Sequence, residues 1–251
     1  MPDSPSLPAP YDLVRLAEVD SVRAELARRA RAGAEEGLLL WADAQTDARG
    51  RLGRRWHCSP GDLHCGVLLR PDFDRDTAAE LSLVGTLAIG QALGELAAAM
   101  TGLHYQWPND VLLNGGRTAA LWLDAPATGD PSEWLGLSFS VNVLEHPEDD
   151  EIHATSLRAQ ETEQLDRAEI LATISRYLLS GLNRWAEAGL AASLRTWRAR
   201  LYDIGDPVCI VLPDTELRGR PLGIDDDGAL RLATGTGERR VSLVDFHGLR
   251  E

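Results

Sequence analysis

Between two apolar runs, Leu38–Ala44 and Cys65–Leu69, lies the segment Gln45-Thr46-Asp47-Ala48-Arg49-Gly50-Arg51-Leu52-Gly53-Arg54-Arg55-Trp56. It carries neither a helical nor a two-residue apolar period, so Thr46–Pro60 is expected to be a long loop held inside a folded domain. Ordered loops of this length tend to be functional. Glycine lets a backbone approach a ligand closely, and guanidinium forks bind phosphate or carboxylate in bidentate geometry. In a chain of net charge -14, four arginines and two glycines in one short stretch form a local anion trap. A solvated basic loop would account for any one of these arginines, but not for the spaced cluster. The segment is not a P-loop, because the Gly-Lys-Ser/Thr that would place a lysine and magnesium is missing.

The acidic balance argues against DNA, since a general grip on phosphates would be opposed by the global field. All 25 basic residues are arginine, which excludes any mechanism needing a lysine nucleophile on this chain. Cys58, Cys65 and Cys209 are too few and odd in number for a disulfide framework, so a reducing, cytoplasmic setting is expected. No apolar run is long enough to cross a bilayer, and Met1–Tyr11 lacks the order of a signal peptide, so neither membrane insertion nor export is expected.

Residues 1–10 read as a disordered start. A strand follows at Tyr11–Val19, and Asp20-Ser21 is placed to cap a helix running to about Glu36, with Val22, Leu26 and Ala30 at helical spacing. Thr77–Met100, Arg167–Ala188 and Ala191–Leu201 read as helices. Tyr105, Val111–Leu113, Ala119–Leu123 and Trp134–Val143 read as strands. From Asp203 the pattern changes to short β-type runs, Val208–Leu212, Leu217–Gly223, Ala229–Ala233 and Arg240–Val244, with Asp226-Asp227-Gly228 as a hairpin turn. The expected fold class is α+β, a mixed sheet with flanking helices over residues 11–202, followed by a small β-barrel over 203–251.

The Gly/Arg segment, followed by Ser59-Pro60, resembles the adenylate-binding loop of the biotin-protein ligase family. Further motifs of that family occur in its order: Glu18-Val19-Asp20-Ser21, Trp107-Pro108-Asn109-Asp110-Val111 and Ala154-Thr155-Ser156-Leu157. In the tail, Gly205-Asp206-Pro207-Val208 and Gly223-Ile224-Asp225 before Gly228-Ala229-Leu230 resemble its SH3-like C-terminal domain. The winged-helix head of the repressor-type members is not among the motifs found, so gene regulation is not implied.

The resemblance implies ATP- and Mg2+-dependent, AMP-forming activation of biotin, as biotinyl-adenylate, and transfer to a lysine of a biotin carboxyl-carrier domain of a carboxylase or another carrier domain. Homodimerisation is a family habit. By resemblance, Arg49, Gly50 and Arg51 would close over the adenylate phosphate and biotin carboxylate, with Gly53, Arg54 and Trp56 ordering the loop. Gln45, with Ser21, Val22 and Arg23, would meet the biotin head, and Asn109 and Asp110 would line the nucleotide side, Asp110 as the magnesium candidate. Trp107 and Pro108 also suit plain core packing.

Several positions depart from the family pattern. Ser-Thr-Asn at the first helix is Ser21-Val22-Arg23, which should weaken recognition of the ureido ring. The catalytic lysine falls at Arg117, whose planar fork cannot occupy the same point as an ammonium, and the lysine before the Trp-Pro-Asn-Asp motif is Gln106. Ala-Gly before the arginines is Asp47-Ala48, Ala-Gly-Ile-Leu is Ala119-Ala120-Leu121-Trp122, and Gly-Ile-Gly-Leu-Asn-Val is Ser138-Phe139-Ser140-Val141-Asn142-Val143. The customary Tyr after the Ser-Pro turn is His64. These changes should narrow the acyl pocket. Two other readings therefore stay open: a sister ligase or transferase for lipoate, octanoate or another acid, and a non-catalytic protein that kept the anion loop. The set His57, Cys58, His64 and Cys65 could offer ligands to zinc, but its spacing fits no standard knuckle and adjacent strand residues face opposite ways.

Overall fold

Leu38–Ala42 (β2) is buried at all five positions, which requires cover on both faces. Leu39 and Trp41 enter one apolar cluster, while Leu38, Leu40 and Ala42 enter a second on the opposite side. A computed structural model describes residues 5–126, 133–148, 153–162, 166–202 and 206–249 and shows what provides each cover.

β2 belongs to a seven-stranded mixed sheet of order β1-β2-β3-β7-β6-β5-β4. The strands are Asp12–Leu16 (β1), Leu63–Leu69 (β3), Leu103–Gln106 (β4), Asp110–Leu113 (β5), Gly116–Asp124 (β6) and Leu135–Val141 (β7). β1 runs parallel to β2 and every other neighbour is antiparallel. On one face lie helices Arg75–Ala79 (α2), Leu81–Leu96 (α3), Arg167–Ala188 (α4) and Ala191–Arg200 (α5), sharing the larger cluster. On the other, Val22–Arg31 (α1) buries Val22, Leu26 and Ala30. α1 comes so close that a Cβ on Gly66 would lie 3.0 Å from Val22 Cγ1 and 3.2 Å from Leu26 Cδ2, so the strand beneath the helix needs its glycine.

The helix expected over Thr77–Met100 begins earlier and is interrupted. The Asp74 carboxylate accepts from Thr77 N at 2.8 Å and starts α2. The chain turns at Glu80, whose carboxylate accepts from the Trp185 indole at 2.7 Å, and α3 follows.

The C-terminal strands Val208–Val211 (β8), Glu216–Ile224 (β9), Leu230–Thr234 (β10) and Gly237–Val241 (β11) form an antiparallel sheet of order β11-β10-β9-β8. Where the strand Arg240–Val244 is expected, β11 stops at Val241. Ser242 then caps a short helix, Leu243–His247 (α6), by accepting from Asp245 N at 3.1 Å. This sheet shares the large core through Ile224, Leu230 and Leu232, and α6 through Phe246. Its hairpin turn docks against the first sheet: Trp107 Nε1 donates to Gly228 O at 2.8 Å. A Cβ on Gly228, at φ +82, would sit 2.8 Å from Leu83 Cδ1.

Of the start expected to be disordered, residues 1–4 lie outside the described residues, and Leu7 packs against the core. Gly205 of the tail motif also lies outside them. Among the described residues no helix is long and apolar enough to cross a membrane.

Candidate active site

The sheet face that α1 leaves uncovered carries the inward side chains of Asp110, Ala120, Trp122, Ser138 and Ser140. Over it folds the Gly/Arg segment. Trp56 N donates to Ala48 O at 3.0 Å and Gly50 N to Arg54 O at 2.7 Å, making a narrow hairpin whose tip, Arg51–Gly53, is a 3-10 turn. Leu52 and Gly53 at this tip both have positive φ, 55° and 71°, and only the second is a glycine, for which such a backbone is unstrained.

Two arginines fasten the hairpin. Arg23 Nε and Nη2 grip Asp124 Oδ2 and Oδ1 at 2.9 and 2.5 Å, and Nη1 donates to Gly50 O at 2.5 Å and Arg49 O at 3.1 Å. Arg23 thereby fastens the loop while lining the pocket beside Val22 and Gln45. Arg51 lines the cleft beneath the hairpin and also fastens the hairpin tip. Its guanidinium lies 3.9 Å over the Phe246 ring, donates to Phe246 O at 3.0 Å and bonds Val211 O. The carbonyls, one on β8 and one on α6, are acceptors, and the Phe246 ring face attracts the cation. Burial, with the nearby Arg54 charge, lowers its pKa to about 10.

A cleft of about 300 Å³ runs between this hairpin and β5–β6, walled by Arg51, Arg54, Trp56, Asn109, Asp110 and Arg117, with Trp107 and Ala120 also lining it and Ile210 and Phe246 at its C-terminal edge. Among the described residues no hydrogen bond or ion pair holds the Arg54 guanidinium, leaving it available to an anion. Arg117 lies 5.0 Å over the Trp56 ring and 3.5 Å from Asp110 Oδ2. Burial raises the pKa of Asp110, and the Arg117 charge offsets part of that rise. Arg117 is fixed through its backbone: Arg117 N donates to His153 O and accepts Thr155 N on its own carbonyl, at 2.9 and 3.0 Å, which gives the Ala154-Thr155-Ser156-Leu157 motif its place. Asn109 holds its turn to β6, donating to Leu121 O at 2.8 Å.

Trp56 and Trp122 meet edge to face at 4.6 Å and separate this cleft from a small pocket of about 10 Å³, lined by Val22, Arg23, Gln45, Arg49, Ser138 and Ser140. Ser21 occupies the N-cap position of α1 but makes no side-chain cap; Gln45 Oε1 instead accepts from Val22 N at 2.8 Å. Gln45 Nε2 reaches Cys58 Sγ at 3.3 Å, and His64 Nδ1 bonds Ser140 Oγ at 3.0 Å. Burial, then the Arg167 charge, lowers the His64 pKa to about 4, and burial raises the Cys58 thiol to about 11. Arg49, paired with Asp47 at 2.6 Å, borders the cavity and an outer groove that Ser21, Gly50, Gly53 and Asp124 also line.

Every site residue expected from sequence therefore borders one of three adjoining hollows. Sequence reasoning missed Asp124 and the β8 and α6 residues Ile210, Val211 and Phe246. Asp124 carried only the signal of a lone acid ending an apolar strand, and the C-terminal residues carried none. Of the candidate zinc set, Cys58 Sγ lies 3.9 Å from His64 Nδ1, His57 Nε2 bonds Ser59 Oγ at 2.8 Å, and Cys65 enters the opposite core. Among the described residues no three His, Cys, Asp or Glu side chains converge on a point. Among the described residues lining the cleft Asp110 is the one carboxylate, so magnesium would rest mainly on phosphate oxygens with Asp110 as its protein ligand, the usual arrangement for this reluctant ligand-exchanger.

The model of the biotin/lipoate A/B protein ligase family matches residues 7–199, and that of the biotin protein ligase C-terminal domain matches 203–246. A biotin--[acetyl-CoA-carboxylase] ligase of Mycobacterium tuberculosis is 35% identical over 245 residues, covering 94% of this chain and 88% of that protein. The bifunctional ligase/repressor BirA of Bacillus subtilis is 31% identical, covering 85% of this chain and 66% of its own length, so the chain spans a little under two thirds of that relative. The structure of an Aquifex aeolicus biotin protein ligase in complex with biotin and ATP superposes with TM-score 0.76 at 26% identity, covering 92% of this chain and 95% of that one.

Proposed function

The chain belongs to the biotin/lipoate A/B protein ligase family, and from that membership we propose that it activates biotin with ATP and transfers the biotinyl group to a lysine of a carboxylase's carrier domain. A biotin carboxylate oxygen attacks the α-phosphorus of ATP and displaces pyrophosphate, forming biotinyl-adenylate. The lysine amine of the carrier then attacks the acyl carbon, loses its proton, and releases AMP. This chain, lacking lysine, supplies neither the acceptor nor an ammonium to the phosphate.

The observation that carries the proposal is the shared Trp56–Trp122 wall. It stands between a small pocket beside Val22, Gln45 and Ser140 and an open cleft bearing Arg54, Arg117 and the glycine backbone of the hairpin. An acid whose tail widens the first places its carboxylate at the entrance of the second, where fixed cations meet the developing negative charge. Arg117 takes the charge-stabilising role, with its guanidinium carbon 5.0 Å from the centre of the Trp56 ring. Arg49 and Arg51 position the hairpin, since their own guanidiniums are engaged by Asp47 and by Phe246 and Val211.

ATP–pyrophosphate exchange tests the proposal. Exchange that requires biotin, and is not supported by lipoate or octanoate, is the expected result. Exchange with one of those acids and not with biotin would identify a sister ligase, and ATP binding with no acid-dependent exchange a non-catalytic protein.

A further inference from the structure

Gly50, the glycine between the two arginines expected to close over the adenylate, has both of its backbone groups engaged by the protein itself. Its N–H donates to Arg54 O at 2.7 Å. Its carbonyl accepts from Arg23 Nη1 at 2.5 Å, and Arg49 O accepts from the same nitrogen at 3.1 Å. The glycine rests on the tryptophan pair beneath the loop: a Cβ there would lie 3.6 Å from Trp122 Nε1 and 3.7 Å from Trp56 Cε3. The backbone polar groups at the base of the hairpin thus find their partners within the chain, the condition under which a loop keeps one conformation.

Arg23 can hold this loop because Asp124 holds Arg23. Nε and Nη2 bond Asp124 Oδ2 and Oδ1 at 2.9 and 2.5 Å, so all three guanidinium nitrogens are committed and the planar fork fixes where Nη1 points. The two side chains are only 21% and 26% exposed, which limits competition from water. Asp124 ends β6, the strand that also carries Arg117. The clamp therefore sets the hairpin, one wall of the cleft, against the strand that supplies a cation to the other wall. Position 23 is where the family pattern has asparagine, whose two amide N–H bonds could not serve a carboxylate and two carbonyls together. The tip of the hairpin is tied separately, by Arg51 to Val211 O and Phe246 O.

We propose that Arg23 and Asp124 are positioning residues that keep the Gly/Arg hairpin in its nucleotide-binding form, so that ATP binds to this chain without the acid in place. A loop that a ligand must order takes the ordering cost out of the binding free energy, whereas a loop ordered by the protein does not. The nucleotide cleft and the pocket beside Val22 then fill in either order, and the phosphates meet Gly50, Arg54 and Arg117 already set. The inference rests on the ligase reading for what the cleft binds, but it concerns the nucleotide alone.

Titration calorimetry with Mg2+ and ATP, alone and with saturating biotin, tests this on the wild-type chain, Asp124→Asn and Arg23→Lys, with melting temperatures measured alongside. The wild-type chain should bind ATP alone with a Kd within about threefold of its value with biotin, since most molecules already hold the competent form. Asp124→Asn, which keeps the shape and loses the charge, should weaken ATP binding about tenfold, the size of one charge-assisted bond, at a nearly unchanged melting temperature. Arg23→Lys, which can pair with Asp124 but cannot fork onto the carbonyls, should weaken it as much. A wild-type chain that binds ATP only with biotin present, or not at all, overturns the proposal. So does either variant with wild-type ATP affinity, or with affinity and melting temperature falling together. The ligase reading fails by a different result, the absence of acid-dependent pyrophosphate exchange, and acid-free ATP binding that Asp124→Asn weakens would uphold the clamp even then.

Discussion

Arg23 and Asp124 form a two-pronged ion pair, at 2.9 and 2.5 Å, that carries the third guanidinium nitrogen onto the backbone carbonyls of Arg49 and Gly50. The base of the Gly/Arg hairpin is thereby tied to α1 and β6 by groups of the protein itself. Because both side chains keep some solvent contact, the pair adds only about 1 kcal/mol or less to global stability. Its consequence is local. In Arg23→Ala or Asp124→Asn, trypsin should cut within Arg49–Arg55 several-fold faster in the unliganded protein, with little change in melting temperature; mass spectrometry of the fragments locates the cut.

Arg51 joins the hairpin tip to the C-terminal sheet. Arg51→Ala leaves Val211 O and Phe246 O without their partner and removes the stack on Phe246. Denaturant unfolding should show a loss of about 1–3 kcal/mol, and the ATP KM should rise, since the tip loses its outer anchor. Arg51→Lys, which cannot reproduce the fork, should recover less than half of the stability.

Arg117→Lys distinguishes a weakened site from one rebuilt around a guanidinium. The flat face of Arg117 over Trp56 and its contact with Asp110 belong to the second kind. Lysine there should lower biotin-dependent kcat/KM by about tenfold, since an ammonium keeps the charge and loses the stacking geometry. A gain in activity would mean that the arginine is a handicap.

Acid should destabilise the fold through His64. Its pKa in the folded chain is lowered from 6.5 to about 4, first by burial. Between those values the unfolded chain binds a proton that the folded chain does not, so stability falls as pH falls through that window, and this contribution levels off below about pH 4. His64→Gln should flatten the dependence of unfolding free energy on pH between 6.5 and 4.

The parts of the molecule legible in the sequence are those set by local chemistry. α4 occupies the residues that its apolar period marks, Arg167–Ala188, with Asp166 capping it, and each sheet strand lies within or beside an expected apolar run. The hairpin was legible because its arginines and glycines are contiguous. α6 was not, because five residues are too few to show a period and its apolar Leu243 and Val244 continue the strand pattern of β11. The partners of Arg23 and Arg51 were also hidden. Asp124 is separated from Arg23 by 101 residues and Phe246 from Arg51 by 195, and only the docking of β6 and of the C-terminal sheet brings them together. The second role of Arg23 could not be read either: its bonds to the loop carbonyls of Arg49 and Gly50 depend on where the hairpin folds.

The most direct test of the central claim is a crystal structure of the chain with ATP and biotin. The adenylate phosphate should lie in the cleft between the Gly50–Arg55 hairpin and Arg117, with the acyl tail passing between Trp56 and Trp122 toward Ser138. Density for the nucleotide elsewhere on the protein, with the hairpin turned to solvent, would contradict it.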